Sequence, residues 1–153
     1  MNVKIVAVGK IKNKFLKSIS EDYQKRLSPF VKLKIDEIEA ESFHDNGDKI
    51  RVKVVEADKL LGRIKKVENK IMILDERGVE FTSDDFAKEL MGADKGLTFI
   101  IGGTLGLAES ILSLPYKKVA LSKMTFTHEM ARVFLLEQIY RGITIIQGKN
   151  YHY

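Results

Sequence analysis

Short apolar runs alternate with helical patterns along this chain. Five of the runs have the β-branched or alternating composition of strands: Val3–Val8, Val31–Ile38, Lys70–Leu74, Thr98–Ile101 and Val119–Leu121. Strands that alternate with helices form parallel sheets covered on both faces, so the pattern predicts an α/β fold with a mostly parallel sheet. The sequence contains no evident linker or repeat, and residues 1–153 are expected to form a single domain.

The segments between the strands have the spacing of amphipathic helices. Apolar residues recur every three or four positions in 13–27 (Phe15, Ile19, Tyr23, Leu27) and in 48–66 (Ile50, Val54, Ala57, Leu61, Ile64). A turn at Asp75–Gly78 is expected to end the third strand. Ser83 is expected to cap a helix that reaches Leu90, a short helix ends near Pro115, and the last helix covers residues 128–146.

Composition excludes several classes of protein. Apolar residues make up 44% and charged residues 31% of the chain, which is typical of a soluble globular domain. No apolar run reaches the roughly 18 residues of a membrane span, and the N-terminus lacks the layout of a signal peptide. There are no cysteines, which excludes disulfides and thiolate metal sites. We therefore expect a cytoplasmic protein that does not bind membranes.

Positive charge is concentrated near the N-terminus. Residues 1–34 contain nine Lys or Arg residues against two acidic ones, although the net charge of the whole chain is only +5. Such a basic segment suits a polyanionic partner such as RNA, whose phosphates bind basic side chains. A solvated, lysine-rich helix is an equally good interpretation of the charge alone.

Two strand-end loops in the last third predict a ligand pocket. Phe99–Ile101 leads into Gly102-Gly103-Thr104-Leu105-Gly106, and Ala120-Leu121 leads into the hydroxyl-rich segment 122–127. Ligands bind at the carboxyl ends of strands in open α/β sheets, so the two loops are expected to share one pocket. The glycine-rich loop lacks the order of a dinucleotide fingerprint and the Lys-Ser or Lys-Thr of a phosphate loop. A tight strand-to-helix turn is the simpler alternative.

His128 is one of the histidines that could take part in chemistry. It begins the last helix, where Thr127 or Thr125 is expected to form the cap, and it is a candidate general base. A surface histidine at a helix start is the ordinary alternative. The three histidines are scattered and have no nearby carboxylate cluster, so we expect no metal site. Ser122-Lys123 lacks the spacing of a serine–lysine nucleophile.

The last helix is apolar on almost every side. Its polar residues fall on two opposite arcs, with His128, Glu129 and Arg132 on one and Glu137, Gln138 and Arg141 on the other. A helix of this kind must be buried widely, which favours a subunit interface and a site shared between subunits. A central helix in a monomer, with ordinary Glu137–Arg141 pairing, is the alternative.

Several phrases together resemble one known family. They are Val6-Ala7-Val8-Gly9-Lys10, Ile73-Leu74-Asp75, Ile100-Ile101-Gly102-Gly103-Thr104-Leu105-Gly106-Leu107, Leu121-Ser122-Lys123-Met124-Thr125-Phe126-Thr127-His128 and Leu136-Glu137-Gln138-Ile139-Tyr140-Arg141. In this combination, and up to the Tyr151-His152 tail, the chain resembles the RlmH family of SPOUT methyltransferases. The chain has Tyr153 where members commonly have Arg or Lys, and Thr127 where proline is common.

The resemblance implies a fold, a cofactor and a substrate. It implies a SPOUT-type α/β fold with a C-terminal trefoil knot, a homodimer, and transfer of a methyl group from S-adenosylmethionine to N3 of a pseudouridine in helix 69 of large-subunit rRNA on the assembled ribosome. The implied cofactor contacts are Leu74, Gly102, Gly103, Leu121, Ser122, Lys123, Met124, Thr125 and Phe126. The implied catalytic candidates are His128, Arg141, Tyr151 and His152.

Two alternatives and one choice of residue stay open at this point. A SPOUT enzyme acting on transfer RNA or another RNA, and a non-catalytic RNA- or ribosome-binding module, fit the same basic segment. Methyl transfer requires no metal, because it needs mainly alignment and a suitable electrostatic environment. The imide N3 must lose a proton, and either His128 or His152 is a candidate base, with Arg141 stabilising negative charge.

Overall fold

Five strands and five helices alternate within the residues that the computed structural model describes, which are 1–45, 47–65 and 67–151. The strands are β1 (Asn2–Val8), β2 (Lys32–Ile38), β3 (Lys70–Glu80), β4 (Leu97–Ile101) and β5 (Lys117–Ala120). The helices are α1 (Lys14–Leu27), α2 (Asp48–Ile64), α3 (Ser83–Met91), α4 (Glu109–Leu112) and α5 (His128–Ile146). The predicted order of elements is confirmed. No helix in these described ranges is long and apolar enough to cross a membrane.

The strands form one sheet in the order β2-β1-β4-β3-β5, and every pairing is parallel. The predicted parallel α/β fold is therefore confirmed. β4 lies at the centre and is buried along its whole length, whereas β2 lies at one edge, where its polar alternation faces solvent. Because all strands run the same way, the loops that follow β3, β4 and β5 meet at one end of the sheet.

Helices cover both faces of the sheet. Alternate residues of β1 point to opposite sides, so that Val3, Ile5 and Ala7 pack with residues of α1, α3 and α5. Val6 and Val8 pack on the other side with residues of α2 and α4. α1 and α2 thus lie on opposite faces of the sheet.

The turn predicted at Asp75–Gly78 is wrong. β3 continues to Glu80, and its pairing with β5 shifts register between Leu74 and Val79, both of which face Val119. The extra residues bulge out at the end of the sheet, where they border the cleft described below. Gly78 allows this close approach, because a Cβ there would lie 2.6 Å from the Lys118 carbonyl carbon.

Two predicted helix details also need correction. Ile50 and Val54 of the second stripe are 77% and 51% exposed, and the buried side of α2 carries Val52 and Glu56 instead. Val52, Glu56 and Leu60, four residues apart, mark the side of α2 that packs inward, so the spacing of Ile50 and Val54 alone predicted the wrong side. The cap of α3 is Thr82 rather than Ser83, and its Oγ1 accepts a hydrogen bond from the Asp85 amide at 3.1 Å.

Candidate active site

A cleft of about 960 Å³ lies at the carboxyl ends of β3, β4 and β5. The glycine-rich and hydroxyl-rich loops both line it, as the sequence predicted, and the β3 bulge forms a third wall. Eight of the nine residues implied as cofactor contacts line this cleft: Leu74, Gly102, Gly103, Leu121, Ser122, Met124, Thr125 and Phe126. Lys123 is exposed beside them and does not belong to the described lining.

The glycine-rich loop brings backbone close to the cleft. Gly103 and Gly106 form an isolated antiparallel bridge, with the Gly106 amide donating to the Gly103 carbonyl at 3.0 Å. Gly106 has a φ of +74°, which favours glycine. A Cβ on Gly102 would lie 2.9 Å from Leu107 Cγ, and one on Gly103 would lie 2.9 Å from Val8 Cγ1. The loop can therefore pack this closely only because both positions are glycine.

Most charged and hydroxyl groups of the lining already have partners. Ser122 Oγ accepts a hydrogen bond from the Met124 amide at 3.0 Å, and the Thr125 hydroxyl donates to Glu76. Arg77 binds both carboxylate oxygens of Asp75, at 3.0 and 3.1 Å, and this contact lowers the pKa of Asp75. The loops are thus held in shape by their own polar contacts before any ligand binds.

His128 lies where the cleft meets the start of α5. Thr127 caps the helix by accepting from the Met130 amide at 3.3 Å, which resolves the earlier choice between Thr127 and Thr125. The imidazole lies against Gly9, because a Cβ there would be 3.4 Å from Nε2. Burial lowers the pKa of His128, and the positive charges of Arg132 and Lys12 lower it further against the effect of Glu129. The side chain is therefore neutral near pH 7 and able to accept a proton.

Two further residues tie the start of α5 to the loop after β1. The Glu129 carboxylate accepts hydrogen bonds from the backbone amides of Lys12 and Asn13, both at 3.1 Å. Arg132 is 1% exposed, donates to the Gly9 carbonyl at 2.7 Å and pairs with Glu37. The first polar arc of the helix therefore serves to position His128 beside the cleft.

The second polar arc forms a separate cluster near the end of α5. Arg141 donates from Nε and Nη2 to one oxygen of Glu137, at 3.0 and 2.6 Å, and its guanidinium lies 4.8 Å from the centre of the Tyr151 ring. The Tyr151 hydroxyl is 3.5 Å from both Glu137 and Tyr23. Burial and the contact with Tyr23 raise the pKa of Tyr151 to about 12. Its phenol thus stays protonated and acts only as a hydrogen-bonding group.

The structure separates the catalytic candidates into two groups. His128 and Arg141 lie 13 residues apart on one straight helix, which corresponds to roughly 20 Å along its axis. His128 borders the cleft, whereas Arg141 and Tyr151 are absent from its described lining. His152 and Tyr153 lie outside the described residues. Within one chain, therefore, the cleft and the Arg141 cluster are not brought together.

The sequence reasoning missed two residues of α2. Lys53 lines the cleft, and Glu56 is buried directly behind it, where a Cβ on Gly103 would lie 3.1 Å from Glu56 Oε2. Glu56 Oε1 accepts from the Glu41 amide at 3.0 Å, and burial raises the pKa of the carboxyl. Glu56 lies four residues from both Val52 and Leu60, and this helical spacing is the signal that could have revealed its buried position. No described group of three or more His, Asp or Glu side chains is arranged to hold a metal ion.

Comparisons with known proteins agree with the fold. The family described as "Predicted SPOUT methyltransferase" matches residues 1–152. The chain is 44% identical to ribosomal RNA large subunit methyltransferase H of Clostridium tetani over 160 aligned positions, covering 99% of both proteins. It is 41% identical to the protein of the same name from Clostridium botulinum strain Kyoto, again over 99% of both.

A solved structure shows the same fold at much lower similarity. A structure described as "a probable methylase family protein from Haemophilus influenzae Rd KW20" superposes with a TM-score of 0.64 at 9% identity, covering 99% of this chain and 70% of that one. SPOUT membership implies the trefoil knot predicted from the resemblance. From the full-length family match and the close relatives we conclude that the chain belongs to the RlmH family of SPOUT methyltransferases.

Proposed function

We propose that this protein transfers a methyl group from S-adenosylmethionine to N3 of a pseudouridine in helix 69 of large-subunit rRNA, on the assembled ribosome. The relatives named ribosomal RNA large subunit methyltransferase H support the substrate class, since they match over 99% of the chain. The observation that carries the proposal is the three-walled cleft beside a neutral, half-buried His128. Action on ribosomes also favours a cytoplasmic enzyme. We further propose that residues 1–153 function as one domain.

The cleft has the properties that S-adenosylmethionine requires. Its volume lies within the usual range for cofactor pockets, and Leu74, Leu121, Met124 and Phe126 offer apolar walls. Gly102 and Gly103 line the cleft without side chains, so their backbone groups can contact the cofactor. When bound, the cofactor supplies an electrophilic methyl group on a sulfonium. The task of the surrounding residues is to align it with the nucleobase and to exclude water.

The protein must also manage one proton and one negative charge. N3 of the pseudouridine gives up its proton as it becomes a nucleophile, and the neutral imidazole of His128 is a suitable acceptor. The Arg141 guanidinium would stabilise the negative charge on the base, and the protonated Tyr151 phenol would position it by hydrogen bonding. Glu137 orients Arg141 through its two hydrogen bonds.

A homodimer would unite the two groups of residues. In a two-fold dimer the same surfaces of both chains meet, so the end of one α5 lies near the start of its partner when the helices cross antiparallel. The Arg141 cluster of one chain would then complete the cleft of the other. This arrangement accounts for the distance of roughly 20 Å between His128 and Arg141 within one chain.

The outer surface of α1 offers the apolar area that such a dimer needs. Phe15 and Ile19 are 81% and 43% exposed, although they belong to the apolar stripe predicted for this helix. α1 packs against α5, and Asn13 and Leu16 border the cleft. The exposed part of the stripe thus lies next to the helix and the cleft that the proposed interface involves.

Methylation of ribosomes tests the proposed activity. Purified protein is incubated with radiolabelled S-adenosylmethionine and ribosomes from cells that lack the modification, and the labelled nucleotide is mapped. We expect label at N3 of a single pseudouridine in helix 69. Label in transfer RNA instead would replace the proposed substrate, and a protein that binds the cofactor but labels no RNA would contradict the proposal.

The pH profile of the reaction tests His128. Because burial lowers its pKa below the usual 6.5, kcat/KM should stay high down to about pH 6.5 and fall at more acidic pH. His128→Gln is expected to reduce kcat about a hundredfold and to remove this acidic limb. His44→Gln, in an exposed loop, serves as the control and should leave the profile unchanged. An acidic limb retained in His128→Gln would assign the base to His152.

Sedimentation of surface variants tests the interface. Phe15→Glu places a charge in the proposed interface and is expected to dissociate the dimer, with a loss of about 3–5 kcal/mol in association free energy. Ile50→Glu alters a residue that is 77% exposed on the opposite face of the sheet and should sediment like the wild type. A wild-type protein that is monomeric at micromolar concentration would contradict the shared site.

A further inference from the structure

Lys53 is a cation of the cleft without an acidic partner. It projects from α2, is half-buried and lines the cleft, one helical turn before Glu56. Among the described residues, no carboxylate forms an ion pair or hydrogen bond with its ammonium. Its ammonium has three donors that no described carboxylate engages, so they can bind an anion that enters the cleft.

The other charged groups around the cleft are already satisfied. Asp75 pairs with Arg77, Glu76 accepts from Thr125, and Glu129 accepts two backbone amides. Within the described lining, Lys53 is thus the cation left for a ligand. An incoming anion meets little competition from within the protein.

Three other cations of α2 give a contrast to Lys53. Arg51 pairs with Asp48, Lys59 pairs with Glu41, and Arg63 lies 3.8 Å from Asp36. These carboxylates belong to α2 itself, to the preceding loop and to β2, and none of them lines the cleft. Lys53 differs because it points toward the cleft, where the nearby carboxylates are already engaged.

We propose that Lys53 binds an oxyanion that enters the cleft with the reactants. Two sources have this chemistry, namely the carboxylate of the methionine part of S-adenosylmethionine and a phosphate of the RNA substrate. The inference rests on the proposed function, since both ligands belong to that reaction. A charge-assisted hydrogen bond of this kind typically contributes enough free energy for a tenfold or larger change in affinity.

Ligands with and without the carboxylate distinguish the first source. Calorimetry is carried out with S-adenosylhomocysteine, which has the amino-acid carboxylate, and with 5′-methylthioadenosine, which lacks it. If Lys53 binds the carboxylate, Lys53→Gln should weaken S-adenosylhomocysteine about tenfold and leave 5′-methylthioadenosine unchanged. Lys53→Arg keeps the charge and should restore much of the affinity.

Kinetics with ribosomes distinguish the second source. If Lys53 binds a phosphate, Lys53→Gln should leave both adenosine ligands unchanged and raise KM for unmodified ribosomes about tenfold. The slope of log KM against log salt concentration should then fall by about one, as expected when one phosphate contact is lost. Either result supports the oxyanion site and identifies its ligand.

Lys49 supplies the matched control. It is an exposed lysine of the same helix outside the cleft lining, so Lys49→Gln changes the net charge equally and should leave every constant unchanged. If Lys53→Gln matches Lys49→Gln in its affinity for S-adenosylhomocysteine, its affinity for 5′-methylthioadenosine and its KM for ribosomes, the assignment is overturned while the proposed function stands. A wild-type protein that binds no S-adenosylhomocysteine would overturn both.

Discussion

Mixed dimers of two inactive variants are expected to regain activity. Gly102→Val disrupts the wall of the cleft, because a side chain there collides with Leu107 and the Gly106 backbone, and Arg141→Ala removes the cation of the second cluster. Each variant alone should lose about a hundredfold or more in rate. When the two are co-expressed with different tags and purified as mixed dimers, about half of the wild-type activity per dimer should return.

The reason is geometric. In a composite site, the cleft of one chain works with the Arg141 cluster of its partner. A mixed dimer then has one site with both defects and one site with none, so one of its two sites is intact. If each site were built from a single chain, both sites of the mixed dimer would carry one defect. The same mixture would then stay inactive.

Two controls make the result decisive. A mixed dimer of Gly102→Val with the double variant Gly102→Val/Arg141→Ala has no intact cleft and should stay inactive. Gly62→Ala, at a position in α2 where a Cβ meets nothing within 4 Å, should bind cofactor and react like the wild type. Mixed dimers with verified composition but without regained activity would refute the composite site.

Replacing Arg132 with methionine is expected to destabilise the fold by about 2–3 kcal/mol. The change removes the charge-assisted hydrogen bond from the buried guanidinium to the Gly9 carbonyl and leaves Glu37, which is 32% exposed, without its partner. Arg132 also connects α5 with β2 and with the end of β1. Urea unfolding at a fixed protein concentration measures the change, since dimer formation contributes to apparent stability.

Arg26→Met is the matched control for Arg132→Met. Arg26 pairs with Asp22 on the exposed side of α1, where solvent screens the two charges and the pair adds little to stability. A similar loss in both variants would show that burial of Arg132 has no special role. Should Arg132→Met fail to fold, Glu37→Gln removes the partner charge instead and is expected to lower the unfolding free energy more than Arg26→Met does.

Local patterns predicted much of the fold. Hydrophobic periodicity reports how each short segment is buried, so it was sufficient for the order of elements, the parallel sheet and the bounds of α5 at His128 and Ile146. The same reasoning located the pocket, because the carboxyl ends of parallel strands meet at one end of the sheet. The knot, the cofactor and the substrate were predicted from the family resemblance, because hydrophobic periodicity carries no information about them.

Tertiary contacts decided the features that depend on distant parts of the chain. The bulge in β3 depends on its pairing with Val119 of β5, and the exposure of Ile50 depends on which side of α2 packs inward. The sequence by itself determined which segments form strands and helices and which loops approach the ligand, since these follow from local composition. Only the tertiary structure decided that Arg132 is buried, that Lys53 faces the cleft and that His128 and Arg141 lie apart, because long-range packing sets those distances.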